Sequence, residues 1–255
     1  MSNLMRAEFY KLFRNRTFWV LIVSLTGLSA LMHHLIIIDW WMMTGTPFEA
    51  AGLSEFNALA VLIVPLFFNL IVSTLAGFYI ANEFSQSGVI KNQIITGHKR
   101  TRIFLAKFVT LSFGTFIVAV VIPFLTAFVL LLLHGMADVF TLSNLLYLGR
   151  AYGLFTLQFL CLTAIVLVIA MMTEDSGKTV IFTLLLSAGM FILEKFVSKP
   201  WITMVYEHTF FYQFSQAFQW ELSSDEIAKS IVIGILSLVV ILLCGMLVFK
   251  KKEIK

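Results

Sequence analysis

FVTLSFGTFIVAVVIPFLTAFVLLLL, Phe108 to Leu133, contains no Asp, Glu, Lys or Arg. About 18 or more consecutive apolar residues suffice to cross the hydrocarbon core of a bilayer as a helix. This run exceeds that length, and a soluble fold has no interior large enough to hide it all round. Toward the N-terminus, Leu59 to Ala81 and Phe18 to Ile38 read the same way. Toward the C-terminus so do Tyr152 to Met172, Thr179 to Leu193 (extended toward Val197 past Glu194 and Lys195), and Ile231 to Phe249. The chain of 255 residues is 60% hydrophobic and 13% charged, where soluble domains are roughly half apolar and a quarter charged. The expectation is a single domain over 1–255, an all-α integral membrane protein of six transmembrane helices.

An apolar run behind a basic N-terminus also suits a secretory signal, but Phe18 to Ile38 outruns the usual ~7–15-residue signal core. With six spans both termini share a side, and Lys and Arg set which one. Fourteen of the 18 lie on the side of the termini: four before the first span, five between the second and third, Lys178, and four after the last. Arg150, Lys195, Lys199 and Lys229 lie opposite. Both termini are therefore expected in the cytoplasm. The other side carries Trp40, Trp41, Trp201 and a run of rings from Tyr206 to Trp220 suited to the headgroup boundary. There Phe210, Phe214, Ala217 and Phe218 repeat at helical spacing, and a short helix against the outer leaflet is expected.

Chemistry is sparse at depth. Buried acids and bases mark most intramembrane enzymes and proton-coupled pumps, and the interiors of the six expected spans hold no Asp, Glu, Lys or Arg. His33 and His34 near Asp39 are the one titratable group of candidates, and an intramembrane enzyme would have to use them. Zinc-protease and serine-nucleophile signatures are missing. Ser176-Gly177-Lys178-Thr179 imitates the end of a phosphate-binding loop, but Met172 stands where the earlier Gly belongs, so a polar turn is expected. The chain is not expected to be an enzyme. Cys161 and Cys244 fall inside expected spans and suggest neither a disulfide nor a metal framework. Pro65 and Pro123 sit within the second and third spans as candidate kinks, and Ser73 and Gly77 form a small-xxx-small pair.

Two segments on the cytoplasmic side carry pattern. Before the first span Met5, Phe9, Leu12 and Phe13 gather on one side of a helix and Arg6, Tyr10, Lys11 and Arg14 on the other, an interfacial helix with its apolar face in lipid. Between the second and third spans, Val89, Ile90, Ile94 and Ile95 suit a short amphipathic helix bounded by Gly88 and Gly97.

Together these segments resemble the ABC-2 type permeases of bacterial ABC transporters. That family opens with Glu-x-x-Lys-x-x-Arg before Phe or Trp, matched by Glu8, Lys11, Arg14, Phe18 and Trp19. After the second span it carries Glu-x(4)-Gly-Thr and later Arg and Lys, similar to Glu83, Gly88, Arg100 or Arg102, and Lys107. Val89 stands where Thr is usual, and Thr96-Gly97-His98 where Pro is common. The resemblance implies a multi-pass permease of the bacterial plasma membrane, working in an ATP-driven exporter. Glu83 to Arg102 would be the coupling helix that docks on a separate cytosolic ATPase, with Glu83, Gly88, Lys91, Arg100, Arg102 and Lys107 as its residues and Glu8, Lys11 and Arg14 on the interfacial helix. It also implies two ATPase copies, a second permease copy or a related permease, and ATP and Mg held by the ATPase, with no cofactor on this chain and no nucleic-acid partner. Spans rich in Phe suit amphipathic peptides or hydrophobic small molecules as cargo, with Asn69, Thr115 and Gln158 as polar candidates along the route. The alternatives are a non-catalytic membrane anchor or sensor component, and the enzyme of His33, His34 and Asp39.

Overall fold

The computed structural model describes residues 2–38, 68–85, 88–134, 141–196 and 200–253, which are helical apart from short turns and contain no strand. Residues 59–67 of the second expected span, with Pro65, and Asp39, Trp40 and Trp41 lie outside them, as do the side chains of His33, Asn69 and Trp201.

Helix α1 (Ser2–Arg14) is followed by α2 (Arg16–Ile37), and the two meet at a 48° bend. Asn15 makes the break: its side-chain oxygen accepts from the Thr17 amide at 2.8 Å, starting α2 on a new axis. Next come α3 (Phe68–Ala76), a π-helical turn at Gly77–Ala81, and α4 (Asn82–Ser85). The short α5 (Val89–Ile95) begins on Gly88, which sits at φ 57°, a left-handed position that glycine occupies without a Cβ clash. Helix α6 (Arg100–His134) carries Pro123 in its interior, and α7 (Leu142–Thr173) runs back from a Thr141 cap. A tight turn through Glu174 leads to α8 (Ser176–Phe196). Here Asp175 accepts from the Lys178 amide at 2.8 Å, so the Ser176–Thr179 stretch is the capped first turn of a helix. After α9 (Pro200–Glu207) and α10 (Phe210–Gln216), α11 (Ser224–Lys251) starts on a capping box of Ser223 and Glu226 and ends on Lys250 and Lys251, charges that suit both ends of its dipole.

Helices α6, α7 and α11 are long and apolar enough to cross a membrane, and the bent α1–α2 pair makes a fourth candidate. Six were expected. The difference lies in the second span, described only from Phe68, and in α8, whose apolar stretch is the shorter Ser176–Met190.

Helix α7 is the centre. Of the apolar window of each helix, 67% is buried for α7, 39% for α6 and 11% for α11, so α7 is enclosed while α11 turns most of its apolar surface outward. Small residues let the backbones close. A Cβ on Gly234 would stand 2.7 Å from Leu157 of α7, and one on Gly245 would stand 2.7 Å from Phe104 of α6. Gln158, buried in α7, donates to the Ser230 carbonyl of α11 at 2.9 Å, while Thr115 returns its hydroxyl to Leu111 of its own helix at 2.9 Å. The Ser73–Gly77 pair also meets a neighbour: a Cβ on Gly77 would lie 3.0 Å from the Ser176 carbonyl oxygen at the start of α8.

The expected ring stripe of α10 turns inward. Phe210 and Ala217 are buried, and Phe155 of α7 stands 4.9 Å from Phe214 and 5.4 Å from Phe218. Aromatic rings of α7 thus take the place of lipid. Arg150 clamps the same connection by donating to the carbonyls of Gln219 and, at 2.8 Å, Trp220.

Candidate functional site

Helix α1 lies against α6 by the stripe Leu4, Glu8, Leu12, all buried. The sequence suggested Met5, Phe9, Leu12 and Phe13 facing lipid. The packed stripe is instead rotated to place an acid in its middle, because α6 offers a matching face. Lys107, Leu111 and Gly114 recur there at i, i+4 and i+7, and Gly114 leaves room for Leu12, whose methyl groups would lie 3.0 Å from a Cβ at that position. Phe9 and Phe13 flank the seam, edge-on to Phe113 at 5.1 and 6.2 Å.

Where that seam meets the π-turn and α4, four charges gather. The Lys107 ammonium contacts Glu8 Oε2 at 3.2 Å and pairs with Glu83 Oε2. Lys11 reaches Glu8 Oε1 at 2.8 Å and Glu83 Oε1 at 2.9 Å. Each carboxylate thus bridges both lysines. The Tyr79 hydroxyl donates to Glu8 Oε2 at 2.9 Å and to the Glu8 carbonyl at 2.7 Å. Gln93 Nε2 donates to Glu8 Oε1 at 2.9 Å. Residues from α1, the π-turn, α4, α5 and α6 therefore meet at one knot.

The side chains of Glu8 and Lys107 are fully buried, Glu83 is 12% exposed and Lys11 34%. Burial of an ion costs several kcal/mol unless paired and hydrogen-bonded. Two acids and two bases here sum to zero charge, and charge-assisted bonds fill the lone pairs of Glu8. Burial pushes the Glu8 carboxyl upward, but Lys107 and Lys11 outweigh it and hold the group at about 2. Burial lowers the Lys11 ammonium, and Glu83 with Glu8 more than reverse it, leaving it above its ordinary value. Both groups are charged at neutral pH.

The other sequence-derived residues take separate places. Lys91 and Arg102 are exposed, Lys91 on α5 and Arg102 on the first turn of α6. Arg14 lies over the exposed Tyr10 ring at 5.0 Å. Arg100 turns away from the knot and donates to the last carbonyls of α11, Phe249 at 3.2 Å and Lys250 at 3.0 Å, and to that of Lys252. Lys252 completes this second tie, reaching the Met171 carbonyl at 2.5 Å and Glu174 at 2.8 Å.

Sequence reasoning missed Tyr79, Gln93 and Lys252. Tyr79 stands four residues before Glu83, one turn away on a helix, which is the signal that points to a shared partner. Gln93 is the polar member of the inner face formed with Ile90 and Ile94. Among the described residues no group of three or more His, Cys, Asp and Glu is placed to hold a metal; Asp39 and the His33 side chain are outside that description.

No curated protein and no solved structure matches the chain. The profile of the ABC-2 family transporter proteins matches residues 4–190, from the first turn of α1 through most of α8. That span takes in every residue of the four-charge knot, and the chain belongs to the ABC-2 family of transporter proteins.

Proposed function

We propose that this chain is the membrane permease subunit of an ATP-driven exporter, docked through α5 and its flanking turns onto a separate cytosolic ATPase. The observation that carries the reading is the knot itself. Glu8 and Lys11 from the first motif meet Glu83 and Lys107 from the second, fastening α1 and α4 to α6, and Gln93 ties α5 to the same Glu8. A docking segment passes force onward only if it is braced this way. Gly88, Lys91 and Arg102 lie on the outer side of the segment, where a partner reaches them, while Lys107 and Glu8 are buried and serve by positioning.

In this reading two ATPase subunits bind two permeases, this chain paired with itself or a relative. The assembly sits in a bacterial plasma membrane with both termini in the cytoplasm, and ATP and Mg bind to the ATPase. The cargo is an amphipathic peptide or a hydrophobic small molecule. An open hollow of about 470 Å³ beside α8, α10 and α11, lined by Met190, Phe210, Phe211, Leu236, Val240 and Ile241 together with the polar His208, Thr209 and Ser237, is mostly apolar and supports this choice of cargo.

The test is co-purification in detergent with the ATPase encoded beside this chain, comparing the native protein with one whose residues 84–100 are replaced by a Gly/Ser linker. Retention by the native protein and loss from the variant is the expected result. Equal retention by both would move the docking site elsewhere, and no association with either would overturn the export reading.

A further inference from the structure

Helix α5 has an inner and an outer face. Ile90 is buried and Ile94 packs on the core, while Lys91, Asn92 and Ile95 are exposed. Gln93 shares the inner face with the two isoleucines. Among the described residues it makes the one side-chain hydrogen bond from α5 to another element, Nε2 to Glu8 Oε1 at 2.9 Å. Beyond it α5 packs chiefly on the adjoining α4.

The amide has a forced orientation. An ionised carboxylate only accepts, so the amino group of Gln93 faces Glu8 and its oxygen faces away. That oxygen, Gln93 Oε1, is buried without a donor. The Gln93 amide therefore engages the knot through its amino group alone. By contrast, Glu8 accepts from Lys11, Lys107, Tyr79 and Gln93 together. The firm body is the four-charge knot, and α5, seated by Ile90 and Ile94, is joined to it by the one Gln93 bond. A contact that is firm on one side and held by a single bond on the other suits a joint with a second arrangement available to it.

We propose that Gln93 is a positioning residue that hands displacement of α5 to Glu8, and through Glu8 moves α1 together with the ion-pair knot. The inference rests on the reading of α5 as the ATPase-docking helix, and it assigns the hand-over to one hydrogen-bond donor. Apolar contact of Ile90 and Ile94 alone keeps α5 in place without steering α1.

The experiment uses the full chain in complex with the ATPase encoded beside it, in a C161A/C244A background. An environment-sensitive fluorophore is attached at R6C on the exposed side of α1. Emission is compared without nucleotide and with Mg-ATP plus vanadate, for the Gln93 form, Q93L and Q93K. Leu fills the space but donates nothing, whereas Lys donates to Glu8. The expected result is a nucleotide response in the Gln93 form, its loss in Q93L, and its return in Q93K, with the ATPase bound to all three. The inference is overturned by an undiminished response in Q93L. Silence of both variants while the ATPase stays bound also overturns it, since that marks a packing role, and so does silence of the Gln93 form itself. If the Gln93 form retains no ATPase, the export reading fails and takes this assignment with it; the co-purification readout separates that failure from the others.

Discussion

Glu8 has no exposed surface and still keeps its charge, because two ammonium groups and two neutral donors replace the water it gave up. Removing one cation leaves the acids under-compensated, and breaking a buried pair from one side costs roughly 3–5 kcal/mol. Lys107→Met is therefore expected to lower stability by that order in denaturant titrations of the detergent-solubilised protein, and Lys107→Arg by much less. The pH dependence has a definite sign. The Glu8 carboxyl is held at about 2 against an ordinary 4.5, so its contribution, roughly 3 kcal/mol at 1.36 kcal/mol per unit, is complete above pH 4.5. It drains away as pH falls from 4.5 toward 2. Lys11, raised above its ordinary 10.5, contributes fully below that pH and loses its share as pH climbs through its folded value. Stability measured against pH should be flat from neutrality to about 5 and then decline on the acid side; a decline that begins near pH 6.5 would point to a histidine instead. At this scale the sequence was half legible. The resemblance picked out Glu8 and Lys11 in one motif and Glu83 and Lys107 in another, but nothing in one dimension assigns them to one another, since α2 to α5 and the π-turn lie between Glu8 and Lys107.

Gly88 and Gly234 set the geometry of whole elements for opposite reasons. Gly88 has open space where a Cβ would go, but its φ of 57° disfavours any other residue. Gly88→Ala is expected to cost about 1 kcal/mol through backbone strain alone, read as faster hydrogen exchange in α5 with α6 unchanged, and Gly88→Asn less. Gly234 has helical geometry and no space: its added Cβ would meet Leu157 at 2.7 Å and Gln158 Nε2 at 2.8 Å. Gly234→Leu should force α11 off α7 and lose about 1–3 kcal/mol as an overpacked contact, whereas Gly149→Ala, with nothing within 4 Å, should leave the melting temperature unchanged or higher. The positions of α2, α6, α7 and α11 were readable from charge-free runs, and that of α5 from its bounding glycines, since both signals are local. The inward turn of α10 and the rotated face of α1 were not. Periodicity reports that a face is apolar, and lipid and a neighbouring helix satisfy it equally well until Phe155 or Lys107 is placed opposite.

Across the whole molecule, two ties brace the start of α6: the knot around Glu8, which holds α1 and α4 to it, and the grip of Arg100 on the last carbonyls of α11. Reporter fusions at residues 1 and 255 should both be active only on the cytoplasmic side, and opposite sides for the two would remove the six-span plan. The knot has a further property as a body in a field. A single charge carried across a membrane potential experiences about 2.3 kcal/mol per 100 mV, but Glu8, Lys11, Glu83 and Lys107 sum to zero. Translated as a rigid unit, they do no net electrical work, so this joint can move without registering the voltage of the cell.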